Sequence, residues 1–368
     1  MKRLLITTDN FLPRWDGIAR FLLELIPVLQ KDFEITIACP AFEGPLPVVP
    51  GVKLVRFPLV NIRFGDIYFS NFNTRRMRSL VRHHDMVFNQ TLGPLGISAI
   101  RASSKLKKPI VSFTHSIEWD LVSKSLHYFR RSAGWLMKVI ARWMYNKCTL
   151  LLVPSKELEE LLTLEGISTV KQVVELGVNT EKFIPPINRA EAKKAISISP
   201  AVFTITYVGR LAHEKNLSTL QQAFQKIKKE FPNTILLIVG GGTEDFTPDP
   251  RVHLLGPQDN VVPYYQASDV YVLPSLTETT SLTTLEAMAC GAAVVVTPVG
   301  SIREYVDDGK NGLIFPRRDA NTLAELLKFL LTHEQTRLAL GVEARKTVEE
   351  KRSLKGSITK IRNVLVSF

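Results

Sequence analysis

Short apolar runs alternate with amphipathic helical stretches along all 368 residues, and the alternation occurs twice, on either side of a polar, proline-bearing break. In the first half the apolar runs fall at 4–8, 34–38, 52–57, 86–89, 110–114 and 150–153, with helical spacing over 18–30, 95–105, 118–145 and 156–164. Residues 178–199 interrupt the pattern with Pro185 and Pro186 side by side. It resumes with runs at 203–208, 234–239, 252–254, 269–273, 292–297 and 312–315, a helix over 217–229, and a charged helical tail over 319–368. Unbroken runs of four to six apolar residues separated by helices mark parallel strands covered on both faces. A chain this long exceeds one ordinary core. The expectation is an α/β fold of two doubly wound, Rossmann-like domains facing across a cleft, one over 1–180 and the other over 181–352.

Composition narrows the class further. The chain is 45% hydrophobic and 22% charged, the balance of a folded globular protein. Cys39, Cys148 and Cys290 are scattered, with no CxxC or Cys/His spacing, so neither a metal site nor a disulfide framework is expected and a reducing, cytoplasmic compartment is. The N-terminal MKRLLITTDNF has too short an apolar run for a signal peptide and reads as a first strand. No apolar stretch approaches the roughly 18–20 residues that span a bilayer. The net charge of +12 is lopsided: residues 1–175 hold 24 Lys/Arg against 15 Asp/Glu, residues 176–368 hold 23 against 20. A basic first half suits anionic lipid, nucleic acid or a phosphorylated substrate, and charge alone does not choose among them.

Several motifs stand where such sheets bind ligands, at the carboxyl ends of strands. In PSLTETTSLTTLEAMACG (274–291), Glu278 lies on a loop after one strand, and Glu286 lies inside a helix that Ser281 is placed to cap. YVGRLAHEKN (207–216) follows the first strand of the second series. Gly209 permits a tight turn there, and Arg210 and Lys215 suit a diphosphate, though a GR…K loop also fits a solvated surface. Gly240–Gly242 lacks the spacing of a dinucleotide fingerprint. In WDGIAR (15–20), Gly17 opens a helix and allows close backbone approach to a ligand. His115 in SFTHSIEWD stands just past a strand, a place that suits a structural histidine as well as a ligand contact. Residues 61–84 and 124–147 interleave Arg and Lys with aromatics: Phe129, Trp135, Met137, Trp143 and Tyr145 alternate with Arg130, Arg131, Lys138, Arg142 and Lys147 in the second. That mixture fits a membrane-interface helix and equally a half-buried helix covering a sheet.

Order and spacing together carry more than any one motif. GRLAHEK, then Glu278 and Glu286 ahead of ACGAAVVVT, with TDNFLPRWDGIARFLLEL at the start, SFTH in the middle, ELGVNTEKF at the break and YQASDVYVLPS before the acids, resemble the retaining nucleotide-sugar glycosyltransferases of family 4, which have the GT-B fold. The resemblance implies that Arg210 and Lys215 hold the donor diphosphate, with Gly209 shaping their loop. It implies that Glu286 binds the ribose hydroxyls, that Glu278 contacts the transferred sugar, and that backbone N–H groups near Leu282 and Thr283 touch phosphate or sugar. Gly17 would pack on the donor from the opposite domain, His115 would face the sugar near the reacting centre, and the last helix (353–368) would cross back to the first domain. The family implies retention of anomeric configuration, with the leaving diphosphate helping to deprotonate the acceptor. No Asp-x-Asp occurs, so a metal-independent reaction without a cofactor is expected, Arg, Lys and a helix dipole standing in for a cation. Two departures stand out: Thr279-Thr280-Ser281 where the family reads G-F-G, which puts a hydroxyl where the sugar lies, and Asp16-Gly17 where paired glycines are common.

The expected function is transfer of a sugar from a UDP- or GDP-sugar to a hydroxyl acceptor. The basic, aromatic first half points to a membrane lipid or lipid-linked glycan as acceptor, and to contact with an anionic membrane at its inner face. A soluble transferase acting on a sugar phosphate or small metabolite is the alternative within the class. A catalytically silent sugar-nucleotide-binding subunit is the alternative outside it, although Arg210, Lys215, Glu278 and Glu286 are all present. Nucleic-acid binding is not expected, since no reading motif accompanies the charge.

Overall fold

A computed structural model of the chain describes all residues except 15–16, 46–47, 65–66, 126–129, 243, 245 and 248, together with the side chains at 62–67 and 124–130. Trp15 and Asp16 of the first motif, Phe129 of the aromatic segment, and Thr243 and Asp245 of the glycine-rich turn therefore lie outside the described residues. The chain forms two compact units: Met1–Val174 with Ile358–Phe368, and Glu175–Ser357. These divisions fall a few residues from the breaks read at 180 and 353.

Unit 1 runs β1 (Lys2–Thr7), α1 (Gly17–Leu29), β2 (Phe33–Pro40), β3 (Val52–Phe57), β4 (Leu59–Phe64), β5 (Ile67–Ser70), α2 (Thr74–His83), β6 (Met86–Asn89) and α3 (Pro94–Leu106). It continues through β7 (Ile110–Phe113), α4 (Glu118–Ser125), α5 (Arg130–Tyr145), β8 (Leu150–Val153), α6 (Lys156–Leu164) and β9 (Lys171–Val173). Seven of these strands make one parallel sheet in the order β3-β2-β1-β6-β7-β8-β9, and β4 and β5 pair antiparallel beside it in sequence. The order reverses between β1 and β6, which makes the carboxyl ends of those strands the natural crevice. A buried polar ladder pins that edge: Thr7 Oγ1 donates to Asn89 Oδ1 (2.8 Å), and Asn89 Nδ2 donates to Ser112 Oγ (2.9 Å).

Unit 2 runs α7 (Arg189–Ala195), β10 (Phe203–Val208), α8 (Leu217–Glu230), β11 (Thr234–Val239), β12 (Val252–Gly256), α9 (Val262–Gln266), β13 (Val270–Leu273), α10 (Leu282–Ala289), β14 (Ala293–Val296), β15 (Leu313–Ile314), α11 (Ala320–Thr332) and α12 (Glu334–Lys351). The last helix, α13 (Leu354–Val366), begins in unit 2 and ends in unit 1. The sheet is parallel in the order β12-β11-β10-β13-β14-β15, with its switch point between β10 and β13. The apolar runs read from sequence are fully buried on β13 and β14, as strands covered on both faces must be.

The two ends of unit 2 are bound to each other. Val178 N donates to Arg352 O (2.9 Å), Leu354 N to Val178 O (2.9 Å), and Ser357 Oγ to Glu175 O (2.6 Å). In unit 1, Arg362 of α13 clasps the Asp32 carboxylate with two hydrogen bonds (2.5 and 2.7 Å) and holds that carboxyl below its usual range.

One expected helix is in fact two. A single helix over 118–145 would put Ser123 and Gly134 about 16 Å apart. Instead α4 and α5 pack together so closely that a Cβ on Gly134 would approach Ser123 Cβ to 3.2 Å and Trp119 O to 3.3 Å. The aromatic, basic α5 is half-buried: Ala141, Met144 and Tyr145 join the core, while Trp135 (66% exposed), Leu136, Val139 and Trp143 (54%) make an outward stripe. The segment 61–84 contains most of the β4–β5 pair and all of α2, a helix with few apolar residues to reveal it.

Candidate active site

The switch point of unit 2 assembles the motif residues. Where β10 ends, Gly209 adopts φ +154°, and a Cβ there would stand 2.7 Å from the Tyr207 hydroxyl, which itself donates to Arg210 O (2.7 Å). The loop then makes a short 3-10 turn over His213–Lys215 and enters α8 at Asn216, held in the left-handed region at φ +53°. Asn216 Nδ2 donates to Pro274 O (3.1 Å), and Leu276 N donates to Glu214 O (2.8 Å), which locks the loop after β10 to the loop after β13. Lys215 and Glu278 consequently meet: Nζ lies 2.6 Å from Oε1, with both side chains largely buried, and Ser275 Oγ donates to the same oxygen (2.8 Å). Arg210 is exposed and pairs with Glu214 (2.9 Å). Both candidate phosphate cations thus carry an acidic partner.

The loop bearing Glu278 is clamped from the other side. Gly300, at φ +54°, sits so close that a Cβ would be 2.3 Å from Glu278 O. Ser301 N donates to Thr279 O (3.0 Å), and the hydroxyls of Thr280 and Ser301 are 3.2 Å apart. Beyond the loop α10 starts, and Ser281 caps it: its buried Oγ accepts from Thr284 N (3.2 Å) and lies 2.9 Å from Thr284 Oγ1. The cap expected from sequence is therefore formed, and it engages the Ser281 oxygen at the start of the helix. Thr279 and Thr280 are the partly exposed members of the departure. The N–H groups of Leu282 and Thr283, in the first turn, have no intrahelical acceptor by the geometry of a helix start.

Glu286 is buried one turn into α10, where the Tyr265 hydroxyl donates to its Oε2 (2.8 Å). Tyr271, hydrogen-bonded to Thr283 Oγ1 (2.8 Å), feels the charge of both Glu278 and Glu286, and burial first, then those charges, raise its phenol. Tyr207 and Tyr305 are likewise raised by burial and by Glu278, so all three phenols stay protonated around the two acids. Sequence reasoning gave no role to Tyr265, Ser275, Gly300 or Ser301. Tyr265 belongs to a quoted motif, but nothing in its spacing announces a contact 21 residues away. Gly240 and Gly242 have a packing reason: a Cβ would fall 1.9 Å from Gly209 O and 2.1 Å from Leu211 O respectively.

Gly17 and His115 are in unit 1. A Cβ on Gly17 would meet nothing within 4 Å among the described residues, so no described packing demands glycine there. His115 stacks on Phe113 (centroids 4.5 Å) and meets the edge of Phe21 (5.4 Å). Its Nε2 lies 3.0 Å from Gln90 Oε1, which can only accept, so Nε2 carries the proton. Removal from water pushes the imidazole down to about 3, and it is neutral at ordinary pH. His115 borders a cavity of about 540 Å³ at the β1/β6 switch point of unit 1. Loop residues after β1, β6 and β7 form one wall, and apolar side chains of α4 and α5 form the other. Among the described residues no group of three His, Cys, Asp or Glu side chains stands together in the manner of a metal site, and no helix is long and apolar enough to cross a membrane. The three cysteines are free and buried.

Comparison with known proteins identifies the family and the fold. Residues 15–182 match the model of Glycosyltransferase Family 4, and residues 202–333 match that of Glycosyl transferases group 1. The chain is 30% identical over 295 residues to the sulfoquinovosyl transferase of Arabidopsis thaliana, an alignment that takes in 76% of this chain but only 56% of that protein. It is 26% identical over 366 residues to the alpha-monoglucosyldiacylglycerol synthase of Acholeplasma laidlawii, covering 92% of this chain and 90% of the relative. Among solved structures, HepE of Anabaena in complex with UDP superposes over the whole of both chains with a TM-score of 0.80 at 16% identity, a likeness of fold.

Proposed function

Because the chain belongs to the group 1 glycosyltransferases of family 4, with their GT-B fold, we propose that it transfers a sugar from a UDP- or GDP-sugar, with retention and without a metal or other cofactor, to a hydroxyl of a membrane lipid or lipid-linked glycan. The observation that carries this reading is the meeting of Lys215, Glu278, Glu286 and the start of α10 at the β10/β13 switch point. In the proposed reaction the bond from the anomeric carbon to the diphosphate breaks, the acceptor oxygen bonds to the same face, and its proton passes to the departing diphosphate. Arg210, Lys215 and the N–H groups of Leu282 and Thr283 stabilise the charge that develops on that leaving group. Lys215 exchanges part of its contact with Glu278 for the phosphate, which frees Glu278 to accept from a sugar hydroxyl. Glu286, oriented by Tyr265, accepts from the ribose. His115 and Gly17, to which the resemblance gives donor contacts, lie in unit 1, where His115 is a neutral imidazole.

Two observations support a membrane acceptor. On α2, Arg75, Arg78 and Arg82 lie in one exposed row along a shallow hollow. α5 turns Trp135 and Trp143 outward, with Arg101 of α3 and Lys147 over the Trp143 ring (5.7 and 4.9 Å). α2, α3 and α5 all pack on one buried cluster that includes Met77, Ala99 and Met144, so these cations and aromatics share a face of unit 1. Such a surface suits anionic headgroups and the membrane interface. The lipid named for the Acholeplasma relative is in keeping with it. We place the protein in the cytoplasm, at the inner face of the membrane.

Hydrolysis of a panel of nucleotide sugars tests the donor assignment. The native chain is expected to cleave one UDP- or GDP-sugar, and Lys215→Ala and Glu286→Ala to lose about a hundredfold in rate or affinity. Full turnover in both variants refutes the site. Co-sedimentation with anionic vesicles at low salt tests the membrane claim, which falls if no protein sediments.

A further inference from the structure

The unit 1 cavity contains two buried side chains with polar atoms that no described residue satisfies. Gln90 is 1% exposed; its Oε1 is engaged by His115, and its Nε2 has no partner. Glu118, the first residue of α4, is 8% exposed; its Oε1 accepts from the Tyr145 hydroxyl, and its Oε2 has no partner. Both side chains line the same cavity. A buried donor and a buried carboxyl oxygen left unmatched are each costly and uncommon, and they point to a ligand that completes them. A sugar or polyol hydroxyl is the group that can both accept from Gln90 and satisfy Glu118.

Asp9, Asn10, Arg14, Thr91 and Ser116 also line the cavity on the side of the strand ends, but its opposite side is unlike a sugar site. Leu121, Val122, Leu136, Met137 and Ile140 of α4 and α5 form its far wall, and Leu136, 54% exposed, stands where the wall meets solvent. The α5 stripe that begins at Trp135 and Leu136 continues this apolar surface outward. A free sugar phosphate would leave the wall wet, whereas a hydroxylated headgroup on an alkyl chain matches both halves. The volume of about 540 Å³ suits a headgroup and the first part of a chain.

We propose that Gln90 and Glu118, the latter held by Tyr145, are the acceptor-recognition pair of this glycosyltransferase, binding headgroup hydroxyls of an amphiphile whose chain lies along the α4–α5 wall. The inference rests on the lipid-acceptor reading above and adds to it the residues that read the headgroup.

The test is calorimetric titration of the full chain with n-octyl glucoside below micelle formation, free glucose, glucose 6-phosphate and 1-octanol. Octyl glucoside is expected to bind at least about tenfold more tightly than any of the other three. Glu118→Ala and Gln90→Ala should each weaken it by about 5- to 20-fold, the range for a lost hydrogen bond to a buried polar group. Glu118→Gln, which keeps an oxygen for Tyr145 and a polar atom for the ligand, should stay within about threefold of native. UDP and GDP binding should be unchanged throughout. Leu136→Gln, at an exposed position that folding tolerates, should weaken octyl glucoside several-fold and leave glucose unaffected, and it decides the matter if the buried variants fail to fold. Native-like octyl glucoside binding in folded alanine variants overturns the proposal, as does tighter binding of glucose 6-phosphate. If instead the native chain cleaves no nucleotide sugar, the parent reading fails while the binding result stands by itself.

Discussion

Replacing Glu118 by glutamine isolates the electrostatics of the unit 1 cavity. Burial pushes the Glu118 carboxyl from its ordinary value of 4.5 up to about 7, against the lowering effect of the Tyr145 hydrogen bond. The folded protein therefore holds a proton between those values that the unfolded chain has released. Stability from this group is complete below pH 4.5 and is lost as pH rises through 7. A shift of about 2.5 units corresponds to about 3 kcal/mol, so the native chain should lose about that much between pH 4 and pH 8 relative to the glutamine variant, which carries no titrating group. His115 acts in the opposite sense: with its imidazole pushed down to about 3, its contribution is present above 6.5 and lost as pH falls. Between 4.5 and 6.5 the two effects offset in the native chain. The comparison of variant with native removes His115 and leaves Glu118 alone. All four tryptophans, at 15, 119, 135 and 143, fall in the sequence of unit 1, so their fluorescence in a urea titration follows that unit selectively. With a urea slope of about 2 kcal/mol per molar, the variant's midpoint should gain roughly 1.5 M on the native one as pH goes from 4 to 8. A midpoint difference that stays constant across that range refutes the argument.

Two further outcomes follow from unit 2. Tyr265→Phe removes a donor to the buried Glu286 carboxylate and should weaken UDP or GDP binding about 5- to 10-fold, measured by calorimetry; unchanged affinity means Tyr265 does not position that acid. Gly300→Ala forces a Cβ to within 2.3 Å of Glu278 O in a left-handed backbone and must displace the sugar-side loop. Nucleotide-sugar cleavage should drop at least about tenfold while nucleotide affinity stays within about threefold, and equal losses in both would tie the loop to the nucleotide instead.

The fold was largely legible because strands such as β8, β13 and β14 are unbroken apolar runs and helical spacing recurs between them. The edges were not. β9 is three residues with a polar face, and α2, though sharply two-faced, buries only Met77 and Val81 among its arginines, so neither has enough apolar residues to stand out. The α4–α5 break was hidden because both helices are amphipathic in the same manner. At the site, charged residues in short loops after strands could be found from sequence, since loop position and charge are both local. Their supports could not: Tyr265, Gly300 and the Gln90–His115–Glu118 neighbourhood depend on which strands lie side by side, which is fixed by sheet order and not by spacing. Ser281 shows the converse: its role as a helix cap is a local rule, and it was legible from sequence.

The hydrogen bonds that join Glu175 to Ser357 and Val178 to Arg352 and Leu354 have a meaning for how the chain assembles. Unit 2 is an insertion: its segment interrupts unit 1 before α13 supplies the last piece. Closing a loop of about 180 disordered residues to bring α13 onto unit 1 would cost about 3–4 kcal/mol more in entropy than closing one of a few residues. Once unit 2 has folded, its ends are already tied together, and α13 emerges beside the point where the chain left unit 1. Unit 2 is thus a built-in template for completing its neighbour, and residues 175–357 form a cassette that could be exchanged between relatives at those two adjoining ends without lengthening the search that unit 1 must make.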